Sequence, residues 1–147
     1  MMADLSLTNV ITAHFYTTQE ADNLSKKMKS HLGFSTNYQM ARLALGRSLQ
    51  IKSFPDAPDS KSKPIEGHLL FGKEEELSLL WIGLIITHFK LYNQEVERGK
   101  KTEIDLVIFQ ELIRRHWHRG VILLNNDWKV AEHDYEKFIH ILSTISH

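Results

Sequence analysis

Three groups of side chains in this sequence have the chemical reach to act on another molecule. Lys26, Lys27 and Lys29 place three ammonium groups within about one helical turn. Arg114, Arg115, His116, Trp117, His118 and Arg119 form an unbroken run. Serines such as Ser48 and Ser78 would be nucleophiles if an acid–base partner stood beside them. Spacing argues against catalysis by the last two groups. On a helix His116 and His118 project about 200° apart, so they cannot share one metal ion. No third ligand stands at a spacing that zinc sites use, and His133-Asp134 reads as a helix-surface pair. The serines show no nucleophile elbow and no neighbouring acid–base set. With no cysteine, disulfides, thiolate metal sites and cysteine nucleophiles are excluded. His116, Trp117 and His118 are therefore expected to be packing residues, with Arg119 paired to an acidic neighbour. No enzymatic activity, metal or cofactor is expected. The lysines remain, and their chemistry is attraction to phosphate.

A helix must present those lysines, and residues 17–49 read as two helices joined by a glycine corner. Thr17 and Glu20 have capping-box spacing. Ala21, Leu24, Met28 and Leu32 then recur at helical steps as an apolar stripe, leaving Ser25, Lys26, Lys27, Lys29, Ser30 and His31 outward. Gly33 stands where a left-handed residue ends the helix, with Phe34 making the accompanying apolar contact. Ser35 or Thr36 can cap the second helix, whose Met40, Leu43, Ala44 and Leu49 face inward. Net charge is zero, yet residues 23–63 hold eight basic side chains against Asp56 and Asp59 alone. Clustered basic charge attracts phosphate backbones without reading sequence. A solvated helix face would carry the same charge pattern.

The rest of the chain frames this pair. Residues 1–16 read as a short strand or extended arm, because NVITAHFY is β-branched and aromatic. Residues 50–66 hold all three prolines and read as an exposed loop, whose Lys61 and Lys63 extend the basic surface if it folds back. Residues 67–126 supply the core helices. GHLLFG is an apolar strand or turn, and Glu74, Glu75 and Glu76 open a helix apolar on nearly every side. Thr87, His88 and Lys90 interrupt it short of the roughly 20 residues a bilayer needs, so a membrane span is not expected. Burial on all sides in so small a protein points to a second subunit, with Trp81, Ile82 and Ile85 at the interface. Thr102 with Asp105 caps another helix running to RRHWHRG, where Gly120 either closes it or lets the chain pass near a neighbour. Residues 127–147 give a final helix with Tyr135, Phe138, Ile139 and Leu142 at helical spacing.

A chain of 147 residues suits one compact, mainly helical (all-α) domain, 1–147. The first Lys or Arg is Lys26, so no basic region precedes an apolar run and a soluble, cytoplasmic protein is expected.

The segment K-x-x-L-G-F-S-x-x-Y-x-x-A-R-L-A-L-x-x-S-L from Lys29 to Leu49, followed by F-x-x-x-x-R-R-H-W-H-R-G-V from Phe109 to Val121, resembles the DndE family of bacterial DNA phosphorothioation systems. The likeness covers roughly residues 18–126. It implies a small helical homotetramer whose surface lysines contact duplex or nicked duplex DNA, beside a cysteine desulfurase, a sulfotransferase-like enzyme and an ATPase. Lys26, Lys27 and Lys29 are the matching lysines, and Gly33 occupies the glycine corner linked to oligomerisation. Two other readings compete with a DNA-binding accessory subunit. One is a ribbon–helix–helix repressor, in which residues 9–16 would pair between two chains and enter the major groove. That ribbon carries no Arg or Lys, which disfavours it. The other is a scaffold that touches only protein.

Overall fold

The computed structural model describes residues 4–93 and 103–144. In chain order these form α1 (Leu7–Thr12), β1 (His14–Phe15), α2 (Gln19–Leu32), α3 (Asn37–Leu49), β2 (Ile65–Glu66), α4 (Gly67–Leu70), α5 (Glu75–Tyr92), α6 (Leu106–Val130) and α7 (Tyr135–Thr144). The protein is mainly helical. Its one sheet among the described residues is the antiparallel pair β1–β2, with His14 opposite Glu66 and Phe15 opposite Ile65.

α6 is the axis of the fold, packing most extensively on α3 and next on α2. Its buried face carries Phe109, Leu112, Ile113, His116, Trp117, Val121 and Leu124, against Met28 of α2 and Met40, Ala44 and Leu45 of α3. Gly120 serves the second of its two expected roles. It lies inside α6, where a Cβ would collide with the carbonyl oxygen of Ala44, so glycine lets the α3 backbone come close. Phe15 closes one end of the core, edge-on to Phe71 at 5.1 Å and to Phe109 at 5.8 Å.

Several local expectations shift. Val10 to Thr12 belong to α1, capped by Ser6, whose hydroxyl accepts from the Asn9 amide at 3.1 Å. Only His14 and Phe15 are extended, because burying Val10 outweighs β-propensity. α2 starts one residue later than the Thr17–Glu20 spacing indicated. Thr18 is its cap, accepting from the Ala21 amide at 3.0 Å, while Thr17 is buried beneath it. Ser25, expected outward, is buried, and Leu24 and Leu32 are only half-buried. At the α2–α3 corner Gly33 adopts φ 76°, and the Phe34 amide donates to the Lys29 carbonyl at 3.0 Å. Gln39 then accepts from the Thr36 amide at 3.2 Å at the start of α3. GHLLFG forms a short helix instead of a strand or turn, burying Leu70 and Phe71.

α6 opens on Asp105, which accepts from the Ile108 amide at 2.8 Å. Thr102, the expected cap, and the connector at 94–102 lie outside the described residues. The helix runs without a break to Val130, past the expected boundary at residue 126. Glu132 and His133 then take positive φ and turn the chain into α7. There Phe138 is buried edge-on to Trp128 at 5.2 Å, while Tyr135 and Ile139 are exposed.

Candidate nucleic-acid interface

The basic side chains divide into two populations. Arg114, Arg115 and Arg119, all on α6, face the loop 50–66 and hold it as a strap. Such a loop has few backbone partners of its own, so its carbonyls need donors from elsewhere. Arg114 donates to the carbonyls of Pro58 at 3.0 Å and Ser60 at 2.8 Å, and also pairs with Glu111 at 2.6 Å. Arg115 reaches the Pro55 carbonyl at 3.4 Å and lies 5.2 Å from the Phe54 ring centre. Arg119 donates to the carbonyls of Ser53 at 2.9 Å and Ser48 at 2.8 Å. The expected acidic partner of Arg119 is thus replaced by carbonyls and hydroxyls. The far end of the strap is tied to the start of α2, where Ser60 Oγ accepts from the Gln19 amide at 3.1 Å and Ser62 Oγ from the Thr17 amide at 3.0 Å. Pro55 and Ser62 are buried, so the loop is less exposed than its composition implies.

Beneath the strap lies a polar network that sequence spacing missed. Ser48 Oγ is 2.8 Å from His116 Nδ1 and accepts from Arg119 Nε at 2.8 Å. His88 packs edge-on against His116 with ring centres 4.6 Å apart, and bonds the Ile51 carbonyl at 2.8 Å. A serine with an imidazole and a guanidinium beside it is an acid–base set, contrary to the expectation for Ser48. Both Ser48 and His116 are fully buried, however, so no substrate reaches the hydroxyl. Burial, with His88 and Arg119 beside it, lowers the His116 pKa to about 3 and keeps the ring neutral. Burial also lowers the pKa of His88 and of Arg119, the latter opposed by Asp56.

His118 points elsewhere, its Nδ1 2.7 Å from Thr18 Oγ1 at the cap of α2, and burial lowers its pKa too. His116 and His118 therefore serve separate partners, as residues two apart on a helix must. Among the described residues no three His, Asp or Glu side chains converge to hold a metal ion.

The lysines form the second population. Lys26 and Lys27 are exposed on α2 and Lys29 is half-buried. Lys26 pairs with Asp22 at 3.1 Å, an exposed contact of small energetic weight. Lys61 and Lys63 are exposed on the strap. Lys61 lies over the Tyr16 ring at 5.4 Å, at the N-terminal end of α2. Lys26 follows Gln19 by seven residues, so roughly 10 Å of helix separates it from the strap attachment.

The residues expected at a subunit interface are also divided. Gly33 is exposed at the corner, Trp81 and Ile82 are half-buried, and Ile85 is fully buried within the chain's own core. Ile85 is therefore not available to a second subunit. Leu77, Leu79, Leu80, Leu84 and Leu91 are the exposed apolar residues of α5, with Gly83 between them. Leu77, Leu80 and Leu84 follow the three- and four-residue steps of a coiled-coil seam, and Leu79 lies beside it.

The family model for the DNA sulphur modification protein DndE matches residues 14–132. The chain belongs to the DndE family. The match runs from β1 through the end of α6, so the strap and both basic populations lie within the DndE region, while α1 and α7 flank it. Membership places the protein in a DNA phosphorothioation system. No curated protein and no solved structure matches it. No helix among the described residues is long and apolar enough to cross a membrane.

Proposed function

We propose that this protein is a DNA-binding accessory subunit of the phosphorothioation system and performs no catalytic step itself. The observation that carries the proposal is the exposed pair Lys26 and Lys27 on α2, with the half-buried Lys29 beside them, in a fold that turns the α6 arginines onto the strap. Lys61 and Lys63 add a weaker, flanking contact. Duplex or nicked duplex DNA is the partner, bound through phosphates and therefore with little sequence preference. The sulfotransferase-like enzyme and the ATPase of the system are the protein partners.

A homotetramer, or at least a dimer, would repeat the lysine set along one duplex and add weak contacts together. The leucine seam of α5 and the Gly33 corner are the surfaces that would form it. The repressor reading loses its ribbon: β1 is two residues long and pairs with β2 of its own chain. A protein-only scaffold remains the competing reading.

Titration of intact and nicked duplexes across a salt series, with sedimentation of the free protein, tests the proposal. Salt-dependent binding of both duplexes by an oligomer is the expected result. A micromolar monomer that leaves both duplexes unbound at low salt would leave the scaffold reading standing.

A further inference from the structure

A cavity of about 780 Å³ opens between the strap, α5 and α6. No residue of α2 lines it, so it is separate from the lysine set. Its volume falls in the range of small-molecule sites, about 300–1,000 Å³.

Two chemistries meet on its wall. The first is aromatic. Phe54 and Phe89 meet edge-to-face at 5.8 Å, and Tyr92 packs against His88 at 4.6 Å, so these rings are held by neighbours before any ligand arrives. The second is cationic. Arg115 and Lys52 line the same cavity, together with the Glu111 carboxylate, whose charge Arg114 answers. Arg115 Nε is buried with no hydrogen-bond partner, 3.7 Å from a Glu111 oxygen. That carboxylate is engaged by Arg114 at 2.6 and 3.0 Å, which leaves the Arg115 charge incompletely answered. Lys52 is exposed and forms no ion pair among the described residues. A buried guanidinium N–H without a partner is costly unless an anion completes it. Rigid rings beside two cations fit a flat, π-faced group that carries an oxyanion.

We propose that this cavity binds a nucleotide, with its base against the Phe54–Phe89–Tyr92 wall and its phosphate between Lys52 and Arg115. A free mononucleotide and the 5′-phosphorylated end of a DNA strand share that chemistry. The proposal stands apart from duplex binding by α2, because its contacts lie on other elements.

Calorimetric or NMR titration of the full chain with 5′-AMP, adenosine, inorganic phosphate and a 5′-phosphorylated tetranucleotide tests it. The expected result is binding of 5′-AMP or the tetranucleotide with a Kd under about 1 mM. Adenosine and phosphate, each lacking half the contacts, should bind at least about tenfold more weakly. Lys52→Ala, which removes an exposed side chain, should weaken binding about tenfold with an unchanged thermal midpoint. Arg115→Gln should weaken it further, and a thermal scan shows whether that variant folds. Preference for the mononucleotide assigns a soluble ligand, and preference for the tetranucleotide assigns a strand end. The Lys26/Lys27/Lys29 triple alanine variant should bind 5′-AMP as wild type does, which separates this site from the duplex contact. Saturation by neither nucleotide, affinity for adenosine equal to that for 5′-AMP, or unchanged binding in Lys52→Ala would each overturn the proposal.

Discussion

α6 and α2 both carry three basic residues within six positions, and the fold uses them in opposite ways. The guanidinium groups of Arg114 and Arg119 are spent on carbonyls of the strap, and Arg115 reaches one at 3.4 Å, while Lys26 and Lys27 stay in solvent. Arg42 and Arg47 follow the first pattern, reaching the Leu69 and Leu70 carbonyls and Asp127. Residue chemistry explains the division. A planar guanidinium offers several fixed donors and is weakly hydrated, so it can organise irregular backbone at low desolvation cost. An ammonium group is strongly hydrated and stays outside, where it acts as a mobile point charge. Counting basic residues therefore overstates the charge available to a partner. Zero net charge understates it, because exposed lysines such as Lys26 and Lys27 on α2 and Lys52, Lys61 and Lys63 on the strap lie within one basic stretch of sequence.

Perturbing the inward population should produce the largest effects. Arg47 and Asp127 form a buried pair at 2.8 and 3.3 Å joining α3 to α6. Arg47→Ala leaves the Asp127 carboxylate buried without its partner and should cost about 3–5 kcal/mol in chemical denaturation. A loss below about 1 kcal/mol would mean that the pair is not desolvated.

The imidazole network beneath the strap sets the next effect. His116 titrates near 3 when folded against an ordinary 6.5 when unfolded. Between those values the unfolded chain takes up a proton that the folded chain refuses, so stability falls as pH drops. The contribution is fully present above about pH 6.5, is lost progressively toward pH 3, and amounts to a few kcal/mol. His88 and His118, lowered in the same direction, add to the slope. Denaturation midpoints measured at pH 7, 6, 5 and 4 should decline steadily, and a flat profile would contradict neutral burial.

Arg119→Ala comes third, at about 2–3 kcal/mol, because it strands the hydroxyl and carbonyl acceptors of buried Ser48 together. Arg119→Lys should recover little of this, since one ammonium cannot span both ends of the strap attachment. Full recovery by lysine would mean that charge, and not the guanidinium fork, holds the strap.

Local chemistry made much of this architecture legible in the sequence. Gly33 ends α2 with the left-handed turn its position implied, and Glu74 to Glu76 mark the start of α5. The four-residue steps through Ile104, Ile108 and Leu112 mark α6. Tertiary burial hid the rest. Val10 sits in a helix despite β-branched neighbours because α1 packs on α4, and Ser25 is buried because the α2–α6 contact is wide. The helix runs past the boundary expected at residue 126, with Asp127 held in it by Arg47. Ser48 and His116 lie 68 residues apart, a separation no local spacing rule can bridge. One signal was available: arginines at the end of one helix and a proline-rich loop short of donors are complementary needs. The lysines were legible because an apolar stripe leaves its complement outward, although Lys29 is less exposed than that rule implies.

Replacing Lys26, Lys27 and Lys29 with alanine should have the smallest effect on folding, within about 0.5 kcal/mol, because few buried atoms change. It is also the most direct test of the central claim, that α2 and not α6 holds the charge that binds duplex DNA. Binding of intact and nicked duplexes should be followed for wild type and triple variant across a salt series. Each lost phosphate contact should flatten the log–log salt slope by about 0.9, and affinity should fall for all sequences alike. A triple variant with unchanged affinity and slope on both duplexes would show that the outward face of α2 is only solvated.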